Sequence, residues 1–168
     1  SIEKLKSLSK KSGNRYIAIR HGEAEHNLTE TWSPIPGVND ALTEKGKKQI
    51  MKAAESLKGK VDIIVASPFV RGQESAKILA EVLGVPKAEI ITEPRIGEWN
   101  VGSDFSQRPM EEYFVLRNKA EDRYHFKHGD GESYADVFTR TAEFLYEFEK
   151  KYQGKRVLFV THGGSARA

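Results

Sequence analysis

Arg20 and His21 directly follow one apolar run (RYIAI), Ser67 and Arg71 follow a second (VDIIVA), and Thr161 and His162 follow a third (RVLFV). Two guanidinium groups and two imidazoles delivered from three separate stretches suit a tetrahedral dianion. Arginine's planar fork grips phosphate oxygens through parallel charge-assisted bonds, and histidine serves as nucleophile, acid or neutral donor. A pocket of that make-up supplies its own cations and calls for no metal. Any one of these residues alone says little, because a single histidine is ordinarily a surface or satisfied core residue. The combination carries the argument.

The elements that must position these side chains read as strands alternating with helices. Segments 15–19, 61–66, 89–92 and 156–160 are short, apolar and rich in Ile and Val, as buried strands are. Between them, Thr43 opens a helix with Gly46 in its first turn and Ile50, Met51, Ala54 and Leu57 along one face. A second helix carries Ala76, Ile78, Leu79 and Leu83 and stops near Gly84 and Pro86, and a third begins at Ser133 with Val137, Phe138, Phe144, Leu145 and Phe148. This alternation predicts an α/β fold in three layers, a mainly parallel central sheet flanked by helices. Ligands of such sheets bind beyond the carboxyl ends of the strands, where all three polar clusters fall. Segment 102–131 breaks the alternation with mixed Gly, Pro, aromatic and charged residues, and reads as an insertion lying over that rim.

At 168 residues and 18.9 kDa, with 38% hydrophobic and 30% charged residues, the chain fits one globular domain that buries roughly two thirds of its unfolded surface. No apolar run approaches the roughly 18 residues that span a bilayer, and the lysine-rich opening SIEKLKSLSKK lacks a signal peptide's apolar stretch. A cytoplasmic location without membrane association is therefore the expectation, and the sequon Asn27-Leu28-Thr29 carries no weight. The absence of cysteine excludes disulfides, cysteine nucleophiles and thiolate metal sites. A net charge of +3, from 27 basic and 24 acidic residues spread along the chain, indicates no nucleic-acid partner. Oligomeric state is not indicated. The chain runs only six residues past His162, where a helix would be starting, so a last helix is expected to be missing.

The series Ile19-Arg20-His21-Gly22-Glu23 with Asn27, Leu42-Thr43-Glu44-Lys45-Gly46, Ser67-Pro68-Phe69-Val70-Arg71, Arg95-Ile96-Gly97-Glu98 with Gly102, Gly131-Glu132-Ser133, and Val160-Thr161-His162-Gly163-Gly164 resembles the histidine phosphatase superfamily. That superfamily includes the cofactor-dependent phosphoglycerate mutases, and the ordered motifs cover residues 15–164. The resemblance implies a single domain of that fold over 1–168, with a cap-like insertion at about 102–131 and an incomplete C-terminal end. It implies that His21 is the nucleophile and forms a phosphohistidine. Arg20, Arg71 and His162 would hold the transferring phosphoryl group, with Asn27 as a further donor. Glu98 would protonate the leaving oxygen and then activate water, and His162 would belong to the catalytic set with His21 and Glu98. The resemblance implies neither a metal nor another cofactor, and a phosphorylated small molecule as the partner. A carboxyl that donates near neutral pH must be held protonated, and desolvation beside Trp99 is the expected means.

Other residues admit two readings. Glu23 either accepts bonds within the site or caps local backbone. Glu132 and Ser133 are expected to cap the third helix. His125, His128, Asp130 and Glu132 are irregularly spaced in a charged loop, and solvation suits them better than a metal. His26 has no assigned role. The aromatics Phe105, Tyr113, Phe114, Tyr124 and Phe126 either pack the insertion onto the core or line a specificity pocket. Among activities, phosphatase ranks first. Family mutases carry an arginine and, two residues on, a tyrosine just after the acid, where this chain has Trp99 and Val101. They also carry an adjacent arginine pair in the insertion, where this chain has Arg108, Arg117 and Arg123 singly. Mutase is the runner-up, and an inert phospho-ligand module ranks below it because His21, Glu98 and His162 are all present.

Overall fold

The computed structural model describes residues 2–37, 40–86 and 89–167. Four parallel strands, β1 (Arg15–Arg20), β2 (Ile63–Ala66), β3 (Ile90–Thr92) and β4 (Arg156–Thr161), lie in the order β1-β4-β2-β3. Parallel neighbours need crossovers, and the helices α3 (Glu44–Leu57), α4 (Val70–Leu83) and α6 (Tyr134–Lys151) lie in those connections. The remaining helices are α1 (Ile2–Ser12), α2 (Glu25–Thr29) and α5 (Met110–Asn118). The expected three-layer α/β fold is present, with α3 and α4 on one face of the sheet and α1 and α6 on the other.

Side chains alternate across the sheet with period two. Ile64, Ala66, Leu158 and Val160 pack with Ile50, Ala54, Ala76 and Leu79 of α3 and α4. Ile63, Val65, Val157 and Phe159 pack with Phe144 and Phe148 of α6. Both central strands are thus buried on two faces, which is why they read as continuous apolar runs. Met51 departs from its expected place and is exposed, because it lies one residue beyond Ile50 and so about 100° around the helix. The ladder of β2 begins at Ile63, later than expected. Asp62 turns aside to bond Arg156 through both its backbone N–H and its carboxylate.

Helix ends are set locally. Thr43 Oγ1 accepts from the Gly46 N–H at the start of α3, and Ser133 with Asp136 forms a reciprocal capping box on α6, as expected for Ser133. Glu132 does not share in that cap. Its carboxylate takes the Arg140 guanidinium and the Asn100 N–H.

The insertion has a core of its own. Trp32, Trp99, Val101, Phe105, Tyr113 and Val137 form a third buried cluster, joined by Met110, Phe126 and Tyr134. Most of the insertion's aromatics therefore pack, and α5 is held over the carboxyl end of the sheet. Among the described residues no helix is long and apolar enough to cross a membrane.

Candidate active site

The ends of β1, β4 and β2 bring His21, His162 and Ser67 together, and Arg71 joins them from the first turn of α4. The strand register places Arg20 beside Thr161, so the residues that follow, His21 and His162, are neighbours, with ring centroids 5.0 Å apart. The loop after β1 is pressed against the start of α3. A Cβ on Gly22 would lie 2.4 Å from the Gly46 carbonyl oxygen, and one on Gly46 would lie 2.0 Å from that of Glu23. Both glycines are required by this close approach. Glu23 then ties the loop down, accepting from Thr43 Oγ1 at 2.9 Å and pairing with Lys45 at 2.7 Å. Its place is a clamp between loop and helix.

His21 is buried, and its Nδ1 lies 2.7 Å from the Gly22 carbonyl oxygen. A carbonyl can only accept, so the network assigns the proton to Nδ1 and leaves the Nε2 lone pair open. Nε2 accepts a hydrogen bond from Arg71 Nε at 3.2 Å. Burial, and then the positive charge of Arg71, push the imidazole down to about 3, so it is neutral at physiological pH.

His162 is fully buried, with Nε2 2.6 Å from Ser67 Oγ. With Ser67 donating to Nε2, an N–H at Nδ1 faces Glu98 Oε2 3.9 Å away, too far for a hydrogen bond, and has no partner among the described residues. A buried donor left open is costly unless a ligand satisfies it. Burial and the nearby Arg71 charge also hold this ring well below the usual histidine range.

Glu98 is fixed through one oxygen. Its Oε1 accepts from the Trp99 N–H at 2.8 Å and from the Gly164 N–H at 3.1 Å, leaving Oε2 free on the side of His162. Gly164 is needed here, since a Cβ would stand 2.5 Å from that oxygen. Arg140, reaching from α6, donates to the backbone carbonyls of Arg95, Gly97 and Glu98, so the segment bearing Glu98 is strapped to the helix. Arg140 was not anticipated from the sequence, although a signal existed. It stands in the apolar stripe between Val137 and Phe144, where an unmatched charge needs a buried partner.

Arg71 is 1% exposed and held on three sides. Nη1 donates to Asp40 Oδ2 at 2.8 Å, and Nη2 donates to the Ser33 carbonyl at 3.1 Å. Asp40 Oδ2 also lies 2.7 Å from His26 Nδ1, and Oδ1 accepts from the His26 backbone N–H at 3.1 Å. Burial alone would raise the Asp40 carboxyl, but the bonds from His26 and the Arg71 charge hold it well below the usual carboxylate range. Asp40 and Ser33 were not anticipated either; they lie in an irregular loop without periodicity.

Asn27 sits beside this cluster rather than on the open wall. Its Oδ1 accepts from the Ala24 N–H at 3.0 Å, which fixes the amide, and its Nδ2 lies 2.8 Å from His26 Nε2. The four polar residues of the charged loop disperse: His125 pairs with Asp122, His128 with Asp104, Asp130 with Ser103, and Glu132 with Arg140.

A cleft of about 330 Å³ opens above this floor. Arg20, Arg71, Glu98 and Gly163 lie on its inner side, and Trp32, Trp99, Phe114 and Tyr134 form aromatic walls. Arg117 of α5 lines it too, its guanidinium 5.5 Å from the centroids of both Trp99 and Tyr134, with no hydrogen-bond partner for Nε among the described residues. Among the described residues that line it, Glu98 is the only acid, against Arg20, Arg71, Arg117 and Arg167. Such a cleft suits an anion.

The histidine phosphatase superfamily (branch 1) pattern matches residues 16–168. A metal-independent phosphoserine phosphatase of Arabidopsis thaliana is 32% identical over 166 residues, covering 90% of this chain and 65% of that protein. Phosphoserine phosphatase 1 of Hydrogenobacter thermophilus is 32% identical over 163 residues, covering 92% of this chain and 73% of that protein. A crystal structure of phosphoserine phosphatase from Entamoeba histolytica in complex with 3-phosphoglyceric acid superposes with a TM-score of 0.73 at 27% identity, over 92% of this chain and 76% of that one. This chain thus spans about two thirds to three quarters of the length of these proteins.

Proposed function

The chain belongs to the histidine phosphatase superfamily, and from that footing we propose that it hydrolyses phosphomonoesters through a covalent phosphohistidine on His21. The observation that carries the reading is the neutral His21 ring, with Nδ1 engaged by the Gly22 carbonyl and the Nε2 lone pair held by Arg71 Nε at 3.2 Å. In the first step Nε2 attacks phosphorus and the bond to the leaving oxygen breaks. Glu98 gives that oxygen the proton carried on Oε2. In the second step water attacks phosphorus, the Glu98 carboxylate takes the water's proton, and the bond to Nε2 breaks to release inorganic phosphate. Splitting the displacement in this way replaces one hard step with two easier ones.

Arg20, the Arg71 Nε–Nη2 edge and the open His162 Nδ1–H are assigned to the equatorial oxygens, where charge spreads in the transition state. Asn27 has one amide hydrogen left for the same purpose. These cations supply the charge neutralisation that a metal ion gives elsewhere, so turnover is expected to survive a strong chelator.

The substrate class follows from the cleft's remaining cations. Once Arg20 and Arg71 are given to the phosphoryl group, Arg117 and Arg167 suit a second anionic group. A small phosphorylated acid, such as the phosphoserine named for the relatives, fits that pattern. The charge of such molecules keeps them inside the cell that makes them, and a cytoplasmic setting is part of the proposal. The test is a panel of phosphate esters with and without chelator, including phosphoserine, phosphoglycerates and uncharged-tail alkyl phosphates. Phosphate release, fastest from the acids, is expected. Isomerisation of a phosphoglycerate without phosphate release would replace this reading with the mutase.

A further inference from the structure

Arg71 poses a problem that its own contacts do not solve. A guanidinium 1% exposed must keep its charge, yet must also stand in one orientation if its Nε–Nη2 edge is to meet a phosphoryl group on His21. Asp40 supplies the charge, but a carboxylate held by one bond would rotate with its partner. His26 removes that freedom by contacting both oxygens, its backbone N–H on Oδ1 and its ring on Oδ2. The tautomer of His26 follows from its other neighbour. The Ala24 N–H fixes Asn27 Oδ1, so Nδ2 faces and donates to His26 Nε2, and the ring proton lies on Nδ1, which is in 2.7 Å contact with Asp40 Oδ2 without hydrogen-bond geometry. A chain of contacts therefore runs from Ala24 through Asn27, His26 and Asp40 to Arg71, and from Arg71 Nε to His21 Nε2.

We propose that His26 and Asp40 are a buried positioning pair that locks Arg71 and Asn27 in one geometry, so that both meet the phosphoryl group without rearrangement. The inference rests on the phosphoryl-transfer reading of the site. Asp40 is not among the described residues that line the cleft, whereas His26 is, and the role assigned to His26 runs through its contacts with Asp40 and Asn27. Arg71 Nε bonds the nucleophile's lone pair, and an arriving phosphoryl oxygen takes that N–H and frees Nε2. Preorganised donors of this kind act on the transition state more than on ground-state binding.

The experiment is a double-mutant cycle on the full chain, read as kcat and KM for the best ester and as the inhibition constant for orthovanadate. His26→Leu removes both ring contacts, whereas His26→Asn restores a donor near Nδ1. Asp40→Asn removes the charge. We expect His26→Leu and Asp40→Asn to lower kcat by about 10-fold to 100-fold with KM changing far less, the scale of a small misplacement of a reacting group. His26→Asn should recover most of the loss. Arg71→Lys should cost at least about 10-fold less in the His26→Leu background than in wild type, since the lock it breaks is already gone. Vanadate affinity should fall in parallel with kcat. Should Asp40→Asn not fold, the His26 series decides alone. Independent, multiplicative losses for His26→Leu and Arg71→Lys, or an unaltered kcat in both His26 variants, would overturn the inference while leaving the wild-type activity in place. A wild type inert toward every ester would overturn both this and the reading beneath it.

Discussion

The floor and the wall of the cleft are built on opposite principles. The floor consists of Arg71, which lines the cleft, and the buried residues packed behind it, His21, His162, Ser67 and Asp40; they come from strand ends, the first turn of a helix and one irregular loop, with Arg71 bonded to His21 and Asp40 and Ser67 to His162. The wall joins α5 to Trp32, Trp99 and Tyr134, and the groups that α5 adds to it, Phe114 and Arg117, lean on these aromatic neighbours with few polar bonds. A floor whose donors are fixed before the ligand arrives suits a transition state common to many esters. A wall with loosely tied groups suits the part of the substrate that varies. Chemistry and selectivity are thereby separable in this fold, and mutations on the two sides should behave differently.

The largest expected effect is on the floor. His21→Ala should lower kcat by more than about 10⁴-fold for every ester, because no neighbouring group can take over the covalent step. Steady-state rates on three chemically different esters check this, and a loss confined to one ester would merge floor and wall.

Glu98→Gln comes next, and its effect should depend on the leaving group. Alkyl phosphates, which need a proton on the departing oxygen, should lose roughly 10²-fold to 10⁴-fold. A nitrophenyl ester leaves as an anion, so its first step should suffer far less, and a burst of nitrophenol should mark stalled hydrolysis of the phosphoenzyme. Equal losses with no burst would show that Glu98 only orients the site.

The floor should also be the acid-sensitive half of the molecule. His21 is pushed down to about 3 in the folded protein, against 6.5 unfolded, and His162 is pushed the same way. Below the unfolded value the unfolded chain binds protons that the folded one refuses, so stability is full above that value and is lost as pH falls toward the folded one. Between pH 7 and 5 His21 should cost about 2 kcal/mol of unfolding free energy, and His162 acts in the same direction. Urea unfolding at the two pH values measures it, and His21→Ala should shrink the difference by about 2 kcal/mol. An unchanged difference would mean that the ring is protonated when folded.

The smallest effect belongs to the wall. Arg117→Ala should raise KM about 10-fold for esters with a second anionic group and leave uncharged alkyl phosphates nearly unaltered, as expected for one charge-assisted contact. Equal changes for both classes would place Arg117 in packing rather than recognition.

How much could be read in advance follows the same division. His21, His162, Ser67 and Arg71 were legible because parallel strands deliver their following residues to one rim. The Thr43 and Ser133 caps were legible because each precedes an apolar stripe. Asp40 and Ser33 gave no sign, since they reach Arg71 from a loop whose path depends on tertiary contacts. The wall was legible only as a departure from alternation. Met110–Asn118 mixes charge and apolar residues, and its helix is specified by Tyr113 docking against Trp32, Trp99 and Phe105. α1 was passed over because its lysines mask the spacing of Leu5 and Leu8, and its burial depends on α6.

The central claim is that phosphoryl transfer passes through one nitrogen of one ring. Wild-type protein turning over a nitrophenyl phosphate and quenched in base, where phosphohistidine survives, can be digested and its phosphorylated peptide characterised by mass spectrometry and phosphorus NMR. Because the Gly22 carbonyl engages Nδ1, the phosphate is predicted on Nε2 of His21. Phosphate on Nδ1 of that ring, on Ser67 or Ser165, or on no residue at all would contradict the account.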